Sequence, residues 1–274
     1  MVVGIRTGLS VHESLAGSIM RILVAEDNLV NRELLHHILV KLGHTVILAE
    51  NGQIAVREHG QVPADIILMD VWMPVMDGLA AARQIRQNEE GTGRRVPIIA
   101  LTAHAIKGDR EACLGAGMDV YMTKPLRREN LIETIARLTH QPAPESRPVE
   151  QPVVAGWEGV DAEILPRLGR MMVESAKESL TDLKLSYDRQ EWQKMARTAH
   201  SLRGSLGLFG ARKSAATVAR LEKSLVEAAF DSTRSLLTEL ELDIQAVITE
   251  VTLRSQGTVD SAPAVPAEQS GMSS

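Results

Sequence analysis

Only one cysteine, Cys113, occurs in the 274 residues. No disulfide can form within the chain, and a reducing compartment is its natural setting. Aromatic side chains make up 3% of the sequence, too few for a stacking platform that holds single-stranded nucleic acid. Basic charge does not dominate either: 30 Lys and Arg stand against 35 Asp and Glu, for a formal net charge of −5. No global positive field draws the chain to nucleic acid or to an anionic membrane. Apolar runs stay well short of the roughly 20 residues needed to cross a bilayer, and His12 and Glu13 interrupt any signal-peptide core near the start. These absences predict a cytoplasmic protein with neither a nucleic-acid partner nor direct membrane insertion.

What is present begins with short apolar runs that end in polar chemistry. In ADIILMDVWMPVMDG (64–78), Ile66, Ile67, Leu68 and Met69 stop at the carboxylate of Asp70, and Pro74, Asp77 and Gly78 supply turn chemistry. Such a run reads as a strand buried on both faces of a parallel sheet. One Asp at a strand end is ordinarily a turn or cap residue. Here the pattern repeats: RILVAED ends in Glu26 and Asp27, PIIALT in Thr102, and DVYMTKP in Lys124 and Pro125. HTVILAE (44–50) makes a fifth strand, and helical patterns separate all five. Glu26, Asp27, Asp70, Thr102 and Lys124 then converge on the carboxyl edge of an α/β sheet, where ligands bind. Crowded carboxylates call for a hard divalent cation with a preference for oxygen. Lys124 and the Thr102 hydroxyl suit the oxygens of a phosphoryl group on Asp70.

Residues 21–139 resemble a response-regulator receiver domain at these positions. The resemblance implies a flavodoxin-like, doubly wound five-stranded parallel sheet. It also implies that Asp70 is the phosphoacceptor, that Asp27 binds Mg²⁺ directly and Glu26 through water, and that the backbone carbonyl of Trp72 completes the protein ligands. Thr102 and Lys124 match the hydroxyl and lysine of the family, Lys124–Pro125 its usual cis peptide, and Tyr121 the aromatic residue that reorients with Thr102 on activation. Trp72 and His104 fall where receivers border the path of an attacking water. Bulky Trp72 is expected to shield the acyl phosphate and favour passing it on, the plainer alternative being that it covers apolar surface.

Along the chain, residues 1–20 read as a flexible lead-in. Helices are predicted from the Asn28 cap to about Leu42, then over 52–59, 79–90 and 127–139. Residues 140–160 are rich in Pro and small side chains and read as a linker. From 161 to 253 helical periodicity is unbroken and no strand-like run occurs. One helix reaches about Tyr187, a second is capped by Asp188 and runs to about Leu208, a third covers 211–229, and a fourth, capped by Asp231 or Ser232, runs to about Leu253. Short connections predict an antiparallel four-helix bundle. Residues 254–274 read as a disordered tail.

In the second of these helices, Trp192, Met195, Ala199, Leu202 and Leu206 form the core seam. His200, Arg203, Gly204 and Gly207 make another stripe, roughly 110° around, which predicts a partly exposed His200. Gly in a helix interior costs about 1 kcal/mol relative to Ala, so two on one face need a reason. Either they give another protein's site a flat approach, or they are a close helix-packing patch. Residues 161–253, with AHSLRGSLGLFG, resemble a histidine-containing phosphotransfer (HPt) domain. That resemblance implies that His200 carries phosphate on Nε2. Arg203 stands where the family usually has lysine, which keeps the charge in a different geometry.

Together the resemblances imply a multistep phosphorelay protein, with a sensor histidine kinase upstream and a separate response regulator downstream. No Gly-rich ATP lid and no dimerising phosphoacceptor helix pair are found, so the chain reads as a phosphotransfer protein and not a kinase. Its AEDN segment resembles receivers of hybrid sensor kinases, so a detached part of one is as consistent as a stand-alone protein. The alternative is a phosphorylation-gated adaptor, in which Asp70 controls docking and the bundle only anchors a partner. A phosphatase using Asp70 as nucleophile lacks a second Asp two residues on.

Overall fold

The computed structural model describes residues 19–102, 107–124, 126–139 and 164–255. Most of the expected lead-in, His104, the Lys124–Pro125 peptide, the 140–160 linker and most of the expected tail lie outside these residues. Among those described, no helix is long and apolar enough to cross a membrane.

Five parallel strands form one sheet in the order β2-β1-β3-β4-β5, the flavodoxin-like arrangement. They are β1 (Arg21–Ala25), β2 (Thr45–Ala49), β3 (Ile66–Asp70), β4 (Ile98–Thr102) and β5 (Val120–Thr123). Every residue of β3 and β4 is buried, as central strands covered on both faces must be. The register pairs Ala25 with Met69 and Asp70 with Leu101. The ends of β1, β3 and β4 are therefore level, and the residues that follow them share one edge.

Helices α1 (Leu29–Lys41) and α5 (Arg128–Leu138) cover one face of the sheet. Helices α2 (Gly52–Gln61), α3 (Gly78–Glu89) and α4 (Lys107–Gly115) cover the other. Cys113 packs within the second layer, fully buried, as a small helix-packing residue. Side-chain caps start three of these helices: Asn28 accepts from Val30 and Asn31, Asn51 from Ile54, and Asp77 from Ala80. Gly78 is required where α3 meets β3, since a Cβ there would lie 2.0 Å from the Asp70 carbonyl oxygen.

The bundle consists of α6 (Leu165–Asp188), α7 (Trp192–Leu208), α8 (Arg212–Val226) and α9 (Phe230–Ser255), each packed on the next and the last on the first. Met195, Ala199, Leu202 and Leu206 are buried as the seam requires, with Leu237, Leu240 and Ile244 from α9. Trp192 stacks on Phe230 with centroids 4.1 Å apart. Several helix ends differ from expectation. Asp188 is the last residue of α6 and caps nothing; the chain turns at Gln190, whose φ is +56°, and α7 starts at Trp192. Helix α9 starts at Phe230 after another left-handed residue, Ala228, which leaves Asp231 inside its first turn, where a negative charge suits the helix dipole. At its other end α9 continues to Ser255, into the segment read as tail.

One feature was not expected. The bundle core does not stop at the bundle: Val30, Leu34 and Ile38 of α1 are buried in it. Leu35 and Leu39, on the other side of the same helix, are buried against the sheet. Helix α1 therefore lies between two cores.

Candidate functional site

The carboxyl edge of the sheet holds a buried acidic pocket. Glu26, Asp70 and Thr102 are almost fully covered, and one carboxylate oxygen from each of Glu26, Asp27 and Asp70 lies within 4.8 Å of the others. Lys124 binds two of the acids, with Nζ 2.7 Å from Glu26 Oε2 and 2.7 Å from Asp70 Oδ2. Its backbone N–H donates to the Thr102 carbonyl at 2.7 Å, which fixes the root of the lysine beside β4. The Trp72 N–H donates to Asp70 Oδ1 at 3.3 Å. Tyr121 is outside the pocket, partly exposed on β5, with the Arg110 guanidinium 5.9 Å from its ring centre.

Three acids against one lysine leave the pocket negative. Burial raises the Asp27 carboxyl to about 6, and the charge of Glu26 adds to it. For Asp70, burial is again the main cause. Lys124 pulls the carboxyl down, Glu26 and Asp27 push it up, and the result is about 8. Burial by itself lowers the Lys124 ammonium, but Asp70 and Glu26 outweigh it and hold the lysine protonated. This donor set fits a small hard cation: all-oxygen, anionic and crowded.

A stability test follows for the metal-free protein. A folded-state carboxyl raised to about 8 keeps a proton that the unfolded chain sheds near pH 4. The contribution of this proton to stability is therefore full below about pH 4 and is lost as pH rises through about 8. In chelator, Asp70→Asn is expected to melt a few degrees above wild type at pH 8 and level with it near pH 4. Thermal melts at several pH values check this; parallel profiles for the two proteins would remove the argument.

Some residues that build the pocket were not singled out from sequence. The Asn31 amide donates to Glu26 Oε1 at 2.9 Å, and the Arg32 guanidinium donates to the carbonyl oxygens of Glu26 (2.7 Å) and Asp27 (3.1 Å). Both stand in the first turn of α1, where a buried amide beside a cap was the available signal.

The bundle lays its His200 stripe across the mouth of this pocket. The Trp72 and His200 ring centres are 5.7 Å apart at a 47° tilt. Asn28 donates from Nδ2 to Ser201 Oγ at 3.2 Å, and Arg167 pairs with Glu33 at 2.8 Å. A Cβ on Gly204 would stand 3.3 Å from Asn31 Nδ2 and 3.9 Å from Lys124 Cδ, whereas one on Gly207 would meet nothing within 4 Å. The close approach thus needs one glycine of the two.

His200 is 8% exposed, contrary to the partial exposure predicted from its stripe. The stripe is off the bundle seam, but Trp72 of the receiver and Glu222 of the bundle both lie against the imidazole. Its Nδ1 is 3.1 Å from Glu222 Oε1, and Arg203 Nη1 is 3.0 Å from Glu222 Oε2. Glu222, on α8, was missed, and nothing in its local sequence distinguishes it from surface glutamates.

Residues 22–136 match the family model of the response regulator receiver domain, and residues 167–250 match that of the Hpt domain. The chain carries a receiver domain followed by an Hpt domain, the composition of a two-component phosphorelay protein. Neither matched region is a kinase catalytic domain. Among curated relatives, it is 36% identical over 173 residues to "Sensor protein GacS" of Pseudomonas syringae pv. syringae, covering 61% of this chain and 19% of the relative. It is 42% identical over 120 residues to "Hybrid signal transduction histidine kinase I" of Dictyostelium discoideum, covering 42% of this chain and 7% of the relative. The chain thus spans less than a fifth of either relative. Among solved structures, it is similar to the receiver domain of a Pseudomonas aeruginosa sensor histidine kinase, crystallised with magnesium in its active-site cleft. That match has 45% identity and a TM-score of 0.42, over 45% of this chain and all of the other.

Proposed function

We propose that this protein relays a phosphoryl group through two of its own side chains in the cytoplasm. Asp70 takes it from a sensor histidine kinase, His200 takes it from Asp70, and a separate response regulator takes it from His200. The observation that most directly supports this is the seating of the His200 stripe over the Asp70 pocket, with the Trp72 indole against the imidazole.

In the first step an Asp70 oxygen attacks the phosphorus of the donor phosphohistidine. The new O–P bond replaces the donor's N–P bond, whose electron pair stays on the donor ring. In the second step the Nε2 lone pair of His200 attacks that phosphorus. An N–P bond forms as the acyl O–P bond breaks, and the pair returns to the Asp70 carboxylate, where Lys124 meets the charge at 2.7 Å. The Nδ1 proton stays in place, and Glu222 offsets the positive charge that the ring acquires. Lys124 and the Thr102 hydroxyl hold phosphoryl oxygens in the receiver, and Arg203 offers charge to the phosphate on the bundle. Thr102 and Tyr121 form the switch pair. Glu26, Asp27, Asp70 and the Trp72 carbonyl would hold Mg²⁺, which supplies positive charge toward the transferring oxygens. Trp72 shields the acyl phosphate from water. The chain works as a carrier, with the receiver assisting its own phosphorylation and dephosphorylation.

Incubation with acetyl phosphate and Mg²⁺ tests the order of carriers. Wild type is expected to gain acid-labile, base-stable phosphate, as phosphohistidine. Asp70→Ala is expected to gain none, and His200→Gln to keep only the base-labile acyl phosphate. Phosphate confined to Asp70 in wild type would overturn the relay and favour the gated adaptor.

A further inference from the structure

The surface that a downstream regulator must reach is already covered. Val30, Leu34 and Ile38 of α1 are buried in the bundle core, and Asn28–Ser201 and Glu33–Arg167 add polar contacts between the two domains. Beside them the Trp72 indole of the same receiver lies against His200, which is 8% exposed. A second protein has no path to the imidazole while α1 is seated.

We propose that the receiver is a gate on its own Hpt domain: the seated state permits transfer from Asp70 to His200 and blocks transfer to any other protein until α1 leaves. The proposal rests on the relay reading above. It also specifies the outgoing partner by chemistry, as a second receiver whose first helix reproduces what α1 presents. That partner needs aliphatic side chains at i, i+4 and i+8, an amide-sized residue to face Gly204, and an acid to meet Arg167. Because the two domains share one chain, the resident receiver competes at an effective concentration of about millimolar. The outside partner's apparent affinity then falls by the fraction of molecules that are open.

The test uses two full-length variants. The donor is His200→Gln, loaded on Asp70 with acetyl phosphate and freed of excess reagent. The acceptor is Asp70→Ala, with and without Leu34→Asp. The donor is common to both arms, so its own opening cancels, and the acceptor's bundle surface is unaltered in each. Below saturation, Leu34→Asp on the acceptor is expected to raise the initial rate of phosphohistidine formation by about tenfold or more. Glu33→Arg on the acceptor breaks the outer ion pair without touching either core. It is expected to act in the same direction by a smaller factor, and it decides the matter if circular dichroism shows the Leu34 variant unfolded. Transfer at an unchanged or lower rate overturns the gate and leaves the relay standing. Absence of phosphohistidine in every arm overturns the gate, and the relay falls with it only if wild type also gains none from acetyl phosphate.

Discussion

Glu222→Ala is expected to slow transfer from Asp70 to His200 by about 10- to 100-fold while Asp70 is still phosphorylated at the wild-type rate. That range corresponds to loss of one hydrogen bond to a charged group, about 1.5–3 kcal/mol. A carboxylate only accepts, so Glu222 Oε1 at 3.1 Å keeps the ring proton on Nδ1 and leaves the lone pair on Nε2. The same carboxylate holds Arg203 with its other oxygen, 3.0 Å away. Without it the imidazole divides between two tautomers and is free to turn, and the charge that develops on the ring loses its counterion. Glu222→Gln keeps an accepting oxygen and is expected to restore much of the rate. Nitrogen chemical shifts of the His200 ring report the tautomer independently of activity. A Glu222→Ala protein that transfers as fast as wild type would dismiss this role.

The second large effect belongs to a residue with no side chain. Gly204→Val is expected to reduce transfer within the chain at least tenfold, because its Cβ alone would come within 3.3 Å of Asn31 Nδ2 and its methyl groups extend further. Asn31 has little room to retreat, since its amide is engaged with Glu26 at 2.9 Å. Gly204→Ala asks the amide to move by a few tenths of an ångström and should cost little transfer. The control is Gly207→Ala. Nothing stands within 4 Å of that position, so the variant should gain about 1 kcal/mol of helix stability and transfer normally. Rates for the three proteins, with thermal melts, separate docking from bundle stability. Equal rates for Gly204→Val and wild type would show that the seated state is not the transfer state.

The acidic pocket was legible because each of its members closes an apolar run. Burial fixes where a strand ends, the parallel sheet puts those ends on one edge, and so Glu26, Asp27, Asp70, Thr102 and Lys124 meet. The bundle seam was legible for a similar reason, since Met195, Ala199, Leu202 and Leu206 repeat at helical spacing. What escaped depends on contacts between segments far apart in sequence. His200 is covered by another domain, and Glu222 reaches it from another helix. Helix α1 did carry a signal, in that Val30, Leu34 and Ile38 lie to one side and Leu35 and Leu39 to the other. A helix apolar on both sides is one buried on both sides, but in sequence Val30, Leu34, Leu35, Ile38 and Leu42 read as one apolar face. The ends of α7 and α9 were misplaced because Gln190 and Ala228 take left-handed turns, a conformation more often signalled by glycine or asparagine.

A helix that answers to two cores has little vocabulary left. Along α1, Leu35 and Leu39 are committed to the sheet and Val30, Leu34 and Ile38 to the bundle, while Asn31 and Arg32 are committed to the acids at its foot. None of these can change without cost to the receiver's own integrity or to its seat. Whatever tells a cognate bundle from a foreign one must then be spelled at the rim, in charge pairs such as Glu33 with Arg167. Rim contacts are individually weak and exposed to salt. Fidelity in this protein is therefore a matter of a few marginal letters around an almost invariant word, and retargeting it is a problem of editing those letters alone.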